Sequence, residues 1–107
     1  MIVDLPYAET CAYLGRTVSS TTGPPLGRIE DLLADAHSHA PQWAVIRLVG
    51  IRARYRALPL LLVLETERGL VAPVTRAMLR TTPAVALGVG LTAAQELALH
   101  GSWGNPL

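Results

Sequence analysis

A chain of 107 residues, half of them apolar and 16% charged, has room for one domain and enough hydrophobic content to bury a core, which excludes a disordered tail. Nine arginines, no lysines and eight acids leave a net charge of +1, so no global field draws the protein onto nucleic acid or an anionic membrane. The single cysteine, Cys11, excludes an intramolecular disulfide and a multi-cysteine metal site and fits a reducing cytoplasm.

Residues 1–13 read as a lead-in without a strong period; Met1 to Pro6 lacks the basic region and apolar core of a signal peptide or anchor. Residues 16–20 are rich in Thr, Val and Ser and run into Thr21-Thr22-Gly23-Pro24-Pro25, where Gly permits positive φ and Pro fixes its own, so strand, turn and strand are expected. In the next segment Ile29, Leu32, Leu33 and Ala36 fall at helical spacing, and local propensity favours an amphipathic helix over residues 28–36. That helix is hemmed by Pro24-Pro25 and Pro41 and is marginal without tertiary support.

Residues 43–50 begin Trp-Ala-Val-Ile and predict a largely buried strand. Arg52, Arg54 and Arg56 alternate with Ala53 and Tyr55, a spacing that puts three guanidinium groups on one face of an extended chain. Residues 60–64 read as another buried strand, turned by Thr66-Glu67-Arg68-Gly69 into residues 70–74, with Pro73 near an edge because it cannot donate to a ladder. The apolar run over residues 57–64 is far below the roughly 20 residues of a spanning helix, so a soluble protein is expected.

Thr75 predicts the cap of a short helical turn over residues 76–80, stopped by Pro83. Residues 85–90 form a glycine-broken connector. Thr92 and Gln95 have the spacing of a capping box, so a helix over residues 93–100 follows, with Gly101 as its natural stop.

In this order and spacing the pieces resemble the PRC-barrel family, small β-barrels related to the cytoplasmic part of a photosynthetic reaction-centre subunit and to the C-terminal domain of a ribosome-maturation factor. The resemblance runs from Leu14-Gly15 through Gly27-Arg28-Ile29-Glu30-Asp31-Leu32-Leu33-Ala34-Asp35 and Trp43-Ala44-Val45-Ile46. It continues through Ala57-Leu58-Pro59-Leu60, Gly69-Leu70-Val71 and Val74-Thr75-Arg76-Ala77-Met78-Leu79. Its end, residues 91–95 and 99–104, looks like the tail of stand-alone bacterial members. The resemblance implies a mainly β fold, a small PRC-type barrel over residues 14–83, with a connector and C-terminal helix over residues 84–107 packed on it. It also implies that residues 28–36 form a strand, tertiary context overriding propensity. Where the family usually carries a glycine-rich loop, this chain has Gly50-Ile51-Arg52-Ala53-Arg54-Tyr55-Arg56.

Candidate chemistry is sparse. His37 and His39 near Asp35 have a spacing that can grip a transition metal, but a site needs a further ligand, and a solvated loop is the simpler reading. Cys11 has no basic neighbour in sequence to lower its pKa and reads as a packed thiol. No nucleophile elbow, phosphate loop or dinucleotide fingerprint occurs, so no catalytic residue, metal or cofactor is expected. The candidate contact surface is Arg52, Arg54, Tyr55 and Arg56, able to meet phosphates or an acidic partner. The expected function is a non-catalytic interaction module, a homodimer or a partner of another protein. An RNA- or ribosome-associated accessory domain using the arginines is the alternative.

Overall fold

Residues 12–34, 41–50, 54–86 and 91–103 are described in the computed structural model. Six strands form one mixed sheet: β1 (Thr17–Ser20), β2 (Pro25–Ala34), β3 (Pro41–Leu48), β4 (Tyr55–Pro59), β5 (Leu64–Thr66) and β6 (Gly69–Ala72). Their spatial order is β4-β3-β2-β1-β6-β5, antiparallel throughout except for the parallel β1–β6 pair. Two helices follow, α1 (Arg76–Thr81) and α2 (Ala93–Ser102). The mainly β expectation therefore holds, with short helices in the C-terminal part. Among the described residues no helix is long and apolar enough to cross a membrane.

The segment with helical spacing is β2, and its bulges explain the deceptive pattern. Against β3 the register steps from Ile29↔Ile46 to Asp31↔Val45, leaving Glu30 without an opposite residue. That extra residue places Ile29 and Leu32, three apart, on one face of the sheet, while Leu33 turns to the other. A bulged strand buried on both faces thus imitates the i, i+3, i+4 periodicity of a helix.

Both faces of β3 are covered. Ala44, Ile46 and Leu48 join Val18, Leu26, Ile29, Leu58, Leu70 and Leu79 in an inner core. Trp43 and Val45 face outward and are covered by Leu99 of α2 together with Val85. This two-sided burial accounts for the unbroken apolar run Trp43-Ala44-Val45-Ile46. Gly27 lies where β2 presses on β3: a Cβ there would come within 2.2 Å of the Arg47 carbonyl oxygen.

The expected barrel does not close, because β4 and β5 are the two ends of the strand order and no ladder joins them. The chain nevertheless passes from one edge to the other through residues 60–63 alone. Such a connection spans at most about 17 Å, whereas a flat six-stranded sheet would hold its outer strands about 24 Å apart. The sheet must curl around the inner core. Closure fails at Leu60–Leu62, expected as strand but formed as a 3-10 turn in which the Val63 N–H donates to the Leu60 carbonyl at 3.0 Å. The turn consumes the residues that would otherwise extend β5, leaving a strand of three.

The two helix starts and the Gly69 turn hold. Thr75 Oγ1 accepts from the Met78 N–H at 3.1 Å to start α1. Thr92 and Gln95 form the reciprocal capping box of α2. Gly101 does not stop that helix, which runs on to Ser102. Gly69, at φ 106°, closes the β5–β6 hairpin in a conformation that side chains disfavour. Pro73 falls just beyond β6, outside the ladder.

Candidate functional site

Of the residues singled out in the sequence, Arg52 lies outside the described residues, Arg54 immediately precedes β4, and Tyr55 and Arg56 begin it. Arg54 is exposed, and its carbonyl accepts from the Leu48 N–H at 2.9 Å. Tyr55 is half-buried on the outer core, opposite Arg47. Arg56 is opposite Ile46 and therefore on the inner face; its Nη1 donates to the Tyr55 carbonyl at 3.2 Å, while its buried Nε has no partner. Together with Ala84 and Val85 these three residues line an open depression at the β4 edge.

A second, larger hollow lies beside the β1–β2 turn and the β5–β6 hairpin, lined by Ser19, Ser20, Thr66 and Glu67 among others. Two of its hydroxyls are engaged locally: Ser20 Oγ lies 2.9 Å from Thr22 Oγ1, and Thr66 Oγ1 donates to the Gly69 carbonyl. Neither contact pairs a nucleophile with a base.

His37, His39, Asp35 and Cys11 lie outside the described residues. Among the described residues no cluster of three or more metal-ligating side chains occurs. His100 is committed to packing, with its ring centroid 5.3 Å from that of Trp43 and its Nε2 4.0 Å from Glu96 Oε1.

The sheet edges differ. On β4, the Tyr55 carbonyl accepts from the Val85 N–H at 3.2 Å and the Ala57 carbonyl from Trp103 Nε1 at 3.0 Å. Pro59, in the same strand, has no N–H to offer. On β5, Leu64, Glu65 and Thr66 are all exposed, and among the described residues nothing lies against the free side of the strand. Leu64 retains 55% of its surface and Leu61, in the preceding turn, 89%. Glu65 is held by Arg16 at 2.7 Å, both side chains exposed.

Sequence reasoning missed Leu61 and Leu64 as surface residues, since an apolar run reads as buried until its place in the sheet is known. It also missed that Arg28 and Arg47 face each other across β2 and β3. The signal for that pair is a register, which single residues do not carry. No family model and no curated protein matches the chain.

Proposed function

We propose that this chain is a non-catalytic assembly module of PRC type, working in a reducing cytoplasm, that pairs with a second copy of itself through the β5 edge. The observation that carries this reading is strand β5, left uncovered by the described residues, beside exposed Leu61 and Leu64. An unpaired strand edge is a template for strand addition, and exposed leucines beside it supply apolar area to bury. A second copy suits the edge because antiparallel pairing about a twofold axis uses the same patch on both sides. In that pairing Leu64 meets Thr66 of the partner subunit. Each Glu65 brings its own cation in Arg16, which offsets the repulsion between the two carboxylates.

The curled sheet supports the PRC-type relation. Light scattering and sedimentation velocity test the proposal. The wild type is expected to dimerise in a concentration-dependent manner, and the double variant Leu61→Ser/Leu64→Thr to remain monomeric with unchanged circular dichroism. A wild type that stays monomeric from micromolar to its solubility limit overturns it, as does an undiminished dimer in the variant.

A further inference from the structure

The ladder register places Tyr55, Arg47, Arg28 and Thr17 side by side on neighbouring strands, in one transverse row across β4, β3, β2 and β1. Ile29, Ile46 and Leu48 alternate with these residues and fill the inner core, so the row belongs to the outer face. Trp43 and Val45 on that face pack against Leu99 of α2, whereas Arg28 and Arg47 are exposed. The row spans three strand spacings, about 14 Å.

Two arginines directly opposite on antiparallel strands repel. The only carboxylate within 4.0 Å of either guanidinium among the described residues is Glu30, 3.8 Å from Arg28 Nε, too long for a hydrogen bond. No described ion pair or hydrogen bond engages the Arg47 side chain. Among the described residues the charge on this row is thus poorly compensated. The half-buried ring of Tyr55 stands at one end and the hydroxyl of Thr17 at the other.

We propose that this row is a binding surface for single-stranded nucleic acid, with the phosphodiester backbone over Arg28 and Arg47 and an unpaired base against Tyr55. A phosphate between the two guanidinium groups turns their repulsion into a shared attraction, and arginine offers it bidentate, charge-assisted hydrogen bonds. The aromatic neighbour favours an unpaired base, which has a free face to stack, over a duplex or an acidic peptide. This surface is separate from the β5 edge and does not depend on self-association. It also differs from the Arg52, Arg54 and Arg56 stripe, because Arg56 is on the inner face while Tyr55 is on the outer.

Fluorescence anisotropy with a labelled, mixed-sequence single-stranded RNA, measured across a salt series, tests the proposal. Two neutralised phosphates predict a slope of log K against log salt near −1.4, because each contributes about −0.7 on a single strand. Arg28→Ser and Arg47→Ser should each weaken binding about three- to tenfold and flatten the slope by about 0.7. Tyr55→Leu, which keeps an apolar group on the outer core, should weaken binding about fivefold with the slope unchanged. Arg80→Ser, at an exposed position on α1, should leave binding intact. Both arginine variants should melt no lower than the wild type, because each removes a like-charge contact, so lost binding is not lost fold. Absence of wild-type binding overturns the proposal, as does a slope indifferent to Arg28 and Arg47. Polyglutamate displacing the RNA as well as unlabelled RNA of equal charge also overturns it and points to an acidic protein surface.

Discussion

Along β4 the carbonyls of Tyr55 and Ala57 are capped by Val85 and Trp103, whereas along β5 three exposed residues end the sheet with no described segment lying against them. The difference follows from chain order. Trp103 is 46 residues beyond Ala57, and the C-terminal segment returns to cover the β4 edge and the outer face of β3. After β5 the chain enters the Gly69 hairpin and pairs β6 between β5 and β1, which commits one side of β5 and leaves the other without a described partner strand. Edge protection in this fold is therefore a long-range property. The edge that no later described segment reaches is the one proposed for assembly.

The contrast can be broken at its foundation by Gly27→Ala. The added Cβ would meet the Arg47 carbonyl oxygen at 2.2 Å and Ile46 Cγ2 at 2.6 Å. Backbone cannot yield as a side chain does, so a loss of about 3 kcal/mol or more is expected in urea unfolding. A variant as stable as the wild type would show that the β2–β3 contact is looser than described. Leu99→Ala removes a fully buried side chain from the cover over β3 and β4 and should cost about 3 kcal/mol by the same measurement.

Trp103→Phe tests the β4 cap more narrowly, keeping an aromatic ring while deleting the donor to the Ala57 carbonyl. A loss of about 1 kcal/mol is expected, together with faster amide exchange in β4 and not in β5. Equal acceleration at both edges would mean that Trp103 serves general packing. The smallest effect belongs to Leu61→Ser/Leu64→Thr. The exposed edge contributes little to the monomer, so stability extrapolated to the monomer should stay within about 0.5 kcal/mol of the wild type. A larger loss would make the β5 leucines part of the core.

Local chemistry was legible where the cause is local. Thr75 and the Thr92–Gln95 pair cap helices because the hydrogen-bond partners lie three residues away. The β3 strand was readable because burial on both faces leaves an apolar run. Residues 60–64 were misread because Leu60 and Val63 are buried while Leu61 and Leu64 are exposed, a division that follows from the 3-10 turn and is hidden in a run of similar side chains. In the candidate contact surface, Tyr55 was visible by its residue type, but its neighbours Arg28 and Arg47 are 27 and 8 positions away and meet it only through strand register.

By itself the sequence determined the mainly β class, the turns at Gly23 and Gly69, the two helix starts and the absence of a spanning helix among the described segments. Each depends on interactions within a few residues or on overall hydrophobic content. Only the tertiary structure decided where the strand over residues 28–34 bulges, that the sheet curls without closing, and that the described residues cover β4 but not β5. Those outcomes depend on which strands become neighbours and on where the C-terminal segment docks. The energy that selects them comes from contacts distant in sequence, which outweigh the local preference for helix in β2.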